Sequence, residues 1–381
     1  MDKEDIETIL TKYKAGTASK EEIALLESWY LSFTSPGTET LGEKERLQTF
    51  NQVWANLENK QSAPKTIRLW PRIAAAAAIL VFLSFGLYTY FHKNKTSSLY
   101  TNDIAPGTAK PFLTLANGQK VIINGNDKGA IAKQGLVTIT QNAAGQLTYT
   151  TANSPNIVPA LNTLTNPRGS KVVSIILPDG TLAKLEAGSS LTYLTAFTGK
   201  TRNVSTKGKV YFAVKHNKAQ PFFLAAKGQT VEDIGTHFII DAFDDEPIIK
   251  TTLIDGSIAV SHAGKKELLK PGQQSLVEAA GNSIAVKEAD LDEETAWING
   301  DFDFHNEALG SIMRQLARVY NIEVTYKGDV KNLLFDGMVS RSRNISAVLE
   351  LMESTGKIHF EINATPDGRQ GRRVMVIAGQ R

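Results

Sequence analysis

Nineteen consecutive residues, Ile73 to Phe91, carry no charged side chain, and as a helix they rise about 28 Å, close to the hydrocarbon thickness of a bilayer. Arg72 and Lys93 bracket the run, and Trp70, Tyr88 and Tyr90 place aromatic rings near its two ends, where amphipathic rings settle in a membrane. The run is read as one transmembrane helix. A cleaved signal peptide is a poor alternative because an acidic, amphipathic region comes first. A buried core helix seldom goes this far without a polar face. Lys60, Lys65, Arg68 and Arg72 precede the span, against Lys93 and Lys95 just after it, so the positive-inside bias puts the N-terminus in the cytoplasm.

The chain of 381 residues has room for two or three domains, and 42% hydrophobic with 21% charged residues is the composition of folded protein. Its net charge is only +3, and no basic run is interleaved with aromatics, so direct nucleic-acid binding has no electrostatic support. Residues 1–62 hold 7 Lys or Arg against 11 Asp or Glu, which makes the segment before the span acidic. Cysteine is absent. That excludes disulfides, thiol nucleophiles and thiolate metal sites, and it suits export to an oxidising compartment.

Before the span the pattern is helical. Ile6, Ile9, Leu10 and Tyr13 form one apolar stripe, ended by Gly16. Ser19-Lys-Glu-Glu22 reads as a capping box, and Leu26, Trp29, Tyr30 and Phe33 stripe the helix that follows, up to Pro36-Gly37. A third helix is expected over 43–58. Helices this short are marginal alone, so their stripes are buried against each other or against a partner.

Beyond the span the period becomes strand-like. Short apolar or alternating runs are separated by turn pairs such as Asn117-Gly118, Lys207-Gly208, Asp255-Gly256 and Pro271-Gly272. The run Leu113–Asn124 echoes Ile175–Glu186 as strand, Asn-Gly or Asp-Gly turn, and return strand. A sandwich, a barrel and a solenoid-like stack all satisfy this spacing. From about Trp297 two strand-helix-strand repeats follow, with Leu309, Ile312, Met313, Leu316 and Tyr320 striping one helix and Ile345, Val348, Leu349 and Met352 the other. They predict a small α+β domain.

Several runs in this half carry a family resemblance: Leu177-Pro-Asp-Gly-Thr181, Ala187-Gly-Ser-Ser-Leu191, Phe197-Thr-Gly-Lys-Thr-Arg202, Tyr211-Phe212, Pro221-Phe222, Gly235-Thr-His-Phe238, Thr252–Ser257 and Leu269–Gln273. In this order they resemble the periplasmic domain of FecR-type anti-sigma factors, in particular the long Bacteroidetes-type members. Residues 100–164 resemble the extra segment of those members, and Trp297-Ile-Asn-Gly300 with the Leu309–Tyr320 helix resembles their C-terminal domain, similar to the short signalling domain of secretins and TonB-dependent receptors. Two runs depart from the family pattern. Lys184-Leu-Glu186 stands where Trp-Leu-Asn is usual, and Gly208-Lys-Val-Tyr-Phe212 where Gly-Glu-Ala-Tyr-Phe is usual.

The resemblance implies a multidomain protein: an all-α anti-sigma domain (1–62), a linker (63–72), the span (73–91), a β-rich extension (100–164), an all-β FecR-like domain (165–285) and an α+β module (297–381). It implies an inner-membrane protein that binds an extracytoplasmic-function sigma factor through Leu26, Trp29, Tyr30 and Phe33. Its periplasmic partner would be the signalling domain of a TonB-dependent outer-membrane receptor, in iron or nutrient uptake regulation. Membrane lipid is then its other contact. The motif residues are Asp179, Gly180, Phe197, Arg202, Tyr211, Phe212, Pro221 and Phe222.

No cofactor, metal or enzymatic chemistry is expected. The six histidines lack paired metal spacing; Asn124-Gly-Asn-Asp-Lys-Gly129 lacks the context of a phosphate loop, and Asp301 and Asp303 read as the wet face of one strand. Gly235-Thr236 is the one bond singled out, because some members resembling this family cut themselves in the matching run, the Thr hydroxyl attacking the preceding carbonyl. The competing reading is an envelope structural or glycan-binding protein with a membrane anchor. An exported enzyme would need convergent polar residues in a pocket, and none is recognisable.

Overall fold

The computed structural model describes residues 8–9, 11–13, 17–32, 100, 102–124, 129–142, 145–151, 158–233, 235–278, 280–364 and 372–379. The chain divides into two compact units, Met1–Lys95 and Thr96–Arg381. Among the described residues no helix is long and apolar enough to cross a membrane; the run 73–91 lies outside them, as does the expected helix over 43–58.

In the first unit, helix α1 covers Lys20–Ser32. Its capping box forms in both directions: Glu22 N donates to Ser19 Oγ at 3.2 Å and Ser19 N donates to Glu22 Oε2 at 2.9 Å, so two backbone donors of the first turn are satisfied reciprocally.

The second unit is built on two β-sheets sharing one strand. Arg202–Ala213, 12 residues long, pairs through its first half with Ser189–Leu194 and, in parallel, with Phe222–Ala226. Through its second half it pairs with Leu182–Leu185 and His237–Ala242. Its inward positions alternate as Arg202, Val204, Thr206, Gly208, Val210 and Phe212, the period-two pattern of a strand with one buried face. The change of sheet falls at Gly208. Its φ is +83°, and a Cβ there would lie 2.4 Å from Ser189 Oγ, so only glycine fits the corner.

Leu113, Leu191, Phe222 and Val260 from one sheet and Ile139, Ile175, Phe212, Phe238 and Ile249 from the other form a single apolar core. Of the three architectures that the spacing allows, this is the sandwich. The echoing runs are both antiparallel hairpins, Phe112–Thr114 with Lys120–Ile122 and Val173–Ile176 with Leu182–Leu185. The strands of the extension belong to the same sheets: Phe112–Thr114 pairs with Leu161–Asn166, which pairs with Ser189–Leu194.

The chain leaves the sandwich through helix α2, Leu291–Asn299, a helix not expected from the sequence. Asp290 accepts from Asp292 N and Glu293 N at its start, and Gly300 at φ +93° closes it, a side-chain N-cap with a left-handed C-cap. The α+β module follows. Asp301–Ala308 pairs with Leu334–Ser340, and Ile322–Lys327 pairs in parallel with Arg372–Ala378, which pairs with Ile358–Ala364. Helices α3, Leu309–Tyr320, and α4, Ser346–Glu353, bury the apolar stripes read in the sequence. Two further members of this second core, Tyr100 and Ile104, come from the start of the unit.

Candidate functional site at the seam between sandwich and C-terminal module

The motif residues converge at one end of the sandwich core. Arg202 has no exposed surface. Its Nη1 donates to Asp179 Oδ2 at 2.6 Å and to the Lys215 carbonyl at 2.7 Å, and its Nε donates to the Gln220 carbonyl at 2.8 Å. Asp179 also accepts from Thr181 N and Thr181 Oγ1, as in an Asp-Gly turn with Gly180 at φ +87°. Pro221 accepts from Arg202 N, Gln220 Nε2 donates to the Phe197 carbonyl, and the guanidinium lies 5.5 Å from the Phe222 ring centre. Phe212 stands 5.8 Å from Phe222 and 5.2 Å from Phe238. Tyr211 points the other way, beside His237 and under Lys184. The cluster staples the 215–221 loop to the 177–181 turn; its chemistry is that of a scaffold.

That loop carries His216 against Gly235. A Cβ on Gly235 would lie 2.6 Å from His216 Nδ1, and Gly235 itself has φ +146°, a conformation that costs any other residue strain. Thr236 is buried, and its Oγ1 has no hydrogen-bond partner, while its carbonyl accepts from Val214 N.

The most concentrated electrostatics lie where the sandwich meets the C-terminal module. Arg341 Nη1 donates to Glu186 Oε1, and its guanidinium packs 4.4 Å from the Phe302 ring centre. Lys209 Nζ reaches Glu294 Oε2 at 3.1 Å and lies 3.9 Å from Asp241 Oδ2; Gln274 Nε2 also donates to Glu294 at 2.7 Å. Arg318, on α3, binds Asp245 at 2.9 Å and Glu246 at 3.1 Å and stacks 3.9 Å from the Phe243 ring centre. Arg314 adds a 2.6 Å pair to Glu246. Lys209, Asp241, Glu294, Arg314, Arg318 and Arg341 line a polar cavity of about 210 Å³ beside Trp297.

Burial pulls the Glu186, Glu294 and Asp241 carboxyls upward, and the cations decide the outcome. Arg341, Lys209 and Arg318 hold Glu186 below the ordinary range. Glu294 is held low against burial by Lys209 and Lys250, whereas for Asp241 burial wins and pushes the carboxyl up to about 6. The Lys209 ammonium is held well above its usual value by Glu294, Asp241 and Glu186, against its own burial. A buried ion pair of this kind is expensive to break from either side, because the partner left behind is an uncompensated charge.

Of the three charged residues at which this chain departs from the pattern of the family it resembles, Glu186 and Lys209 are seam residues, and Lys184 lies over the Tyr211 ring. Among the described residues no group of His, Asp and Glu is arranged to hold a metal. On α1 the side chains of Leu26, Trp29 and Tyr30 lie outside the described residues, and Phe33 is outside them altogether.

Residues 164–259 match the protein family described as FecR protein, and residues 301–365 match the one described as FecR, C-terminal. Two crystal structures of a candidate anti-sigma factor from Parabacteroides distasonis resemble this chain in fold. One is 23% identical, covering 57% of this chain and 99% of its own with a TM-score of 0.52. The other is 24% identical and covers 58% and 100%, at the same TM-score of 0.52. Among curated proteins none matches.

Proposed function

We propose, from the match of residues 164–259 and 301–365 to the FecR protein and FecR C-terminal families, that the chain is a FecR-type, single-pass inner-membrane anti-sigma factor. Its N-terminal helices hold an extracytoplasmic-function sigma factor in the cytoplasm, the run 73–91 crosses the membrane, and the second unit receives a signal in the periplasm from a TonB-dependent outer-membrane receptor. The observation that carries this reading is the joining of the FecR domain to the FecR C-terminal domain through the buried pairs Glu186–Arg341 and Glu246–Arg318. A protein that touches either domain then acts on both.

Capture of sigma factors by the full-length chain tests the proposal. Selective retention of one extracytoplasmic-function sigma factor is expected, with loss of at least tenfold in a Trp29→Ala/Tyr30→Ala variant. Retention of none by a folded chain leaves the envelope-anchor reading in its place.

A second reading, self-cleavage at Gly235–Thr236, is favoured by the left-handed φ of Gly235 and the unpartnered Thr236 hydroxyl. The hydroxyl oxygen attacks the Gly235 carbonyl carbon, the C–N bond breaks, and the proton moves to the new Thr236 amine. Water then hydrolyses the ester, leaving a Gly235 carboxylate and restoring the hydroxyl. Intact-mass measurement reads the outcome: two products divided at this bond, replaced by one full-length species in Thr236→Val. A single species in the parent chain rejects it.

A further inference from the structure

Tyr100, Asp103 and Ile104 are among the first described residues after the 73–91 run in sequence, and they are held by the last domain of the second unit. Tyr100 and Ile104 are 9% and 1% exposed, and both belong to the core of the C-terminal module. Ile345 N donates to the Ile104 carbonyl at 2.9 Å. Helix α4 has Ile345 at its cap position, with no side-chain acceptor of its own. Asp103 supplies that acceptor from 243 residues away: Oδ2 accepts from Ser346 Oγ at 2.8 Å and Oδ1 from Ser346 N at 3.2 Å. Asn344 Nδ2 adds a third bond to Oδ2, at 2.8 Å. A carboxylate at a helix N-terminus also meets the positive end of the helix dipole.

Only after these residues does the chain turn to the sandwich. Gly107 lies so close to Gly169 that a Cβ would stand 2.1 Å from the Gly169 carbonyl oxygen. Ala109 N donates to that carbonyl at 2.9 Å, and Gly169 N donates to the Arg318 carbonyl on α3 at 2.8 Å.

We propose that Tyr100, Asp103 and Ile104 form a latch, through which the C-terminal module holds the start of the second unit and by whose release it passes a displacement to the membrane-spanning run. The proposal rests on the reading of 73–91 as a span. From Phe91 to Tyr100 the chain extends at most about 30 Å, so the tether is short. The latch is also separable from the fold. It consists of two buried side chains, one backbone hydrogen bond and one carboxylate, and Asp103 is half-buried on the wall of an open groove of about 570 Å³. Opening it leaves the strand ladders of both domains intact.

The test uses the full-length chain in lipid vesicles, with Asp103→Ala as the release variant. Amide hydrogen exchange is expected to quicken at least tenfold in 100–104 and in the first turn of α4, with the strand His237–Ala242 unchanged. Protease cutting within 92–99 is expected to quicken about fivefold. A second variant, Asp103→Cys/Ser346→Cys in this cysteine-free chain, joined by a short thiol cross-linker, should return the cutting rate to the parent's. Exchange that quickens through the whole C-terminal module makes the segment an ordinary piece of core and overturns the latch. An unchanged exchange or cutting rate overturns it as well. These readouts do not involve a sigma factor, so failed sigma capture and a failed latch are separate results.

Discussion

Arg202 and Asp179 meet at 2.6 Å inside the sandwich, and the same guanidinium closes two backbone carbonyls of the 215–221 loop. Arg202→Ala strands a largely buried carboxylate and two carbonyls together, and should cost about 3–5 kcal/mol in denaturant unfolding. Arg202→Lys should recover little of this, because an ammonium cannot reproduce the fork that reaches Asp179 and Gln220 at once.

Across the seam, Arg341→Ala leaves Glu186 buried without its charge partner, and a loss of about 3–5 kcal/mol is expected. Glu186→Gln keeps the shape and removes the buried charge, so it should cost less. A double-mutant cycle should return a coupling between them of about 0.5–3 kcal/mol; simple additivity would show that the pair contributes nothing as a pair.

The pH dependence of the seam has two opposing parts. Asp241, raised to about 6 by burial, has an unfolded value near 3.9. Between these values the folded chain keeps a proton that the unfolded chain has lost, so this group's contribution falls as pH rises through the window. Asp241→Asn removes that slope. Against the parent, its stability at pH 7 relative to pH 4 should gain on the order of 3 kcal/mol. Glu186 and Glu294, both lowered, run the other way: their stabilisation is present above the ordinary carboxylate value and is lost as pH falls through their folded values. Unfolding curves over pH 3–8 separate the two.

Gly107→Ala places a methyl group against the Gly169 backbone, where neither side can rotate away. A loss of about 1–3 kcal/mol is expected. It should appear as faster exchange at Ala109 N, while Gly118→Ala, with open space around it, should perturb its own turn alone.

What could be read in the sequence was whatever has a local signature. The stripes of α3 and α4 are buried as their 3.6-residue period requires. Lys207-Gly208 is not the turn its composition suggests but the bend at which one long strand changes sheets, since a glycine with positive φ serves both purposes. Helix α2 escaped because its 9 residues are mostly acidic or polar, too few for a period to emerge. The seam left no local trace: Glu186 finds Arg341 155 residues on, and Lys209 finds Glu294 after 85. As departures from the family pattern both residues were visible, but the reason for them lies in charges that only the fold brings near.

The cap that Asp103 gives to α4 also sets an order of events during synthesis. The aspartate is made 243 residues before the serine it binds. Until the ribosome passes Ser346, Asp103 has no helix to cap and the core that Tyr100 and Ile104 enter lacks its α4 and last-strand members, although the sandwich that begins a few residues later has all its strands. A polypeptide cut short anywhere between the last sandwich strand and α4 would therefore present a finished sandwich behind a loose, apolar leader. Tyr100, Asp103 and Ile104, made before any strand of the sandwich, are among the last residues of the unit to find their place.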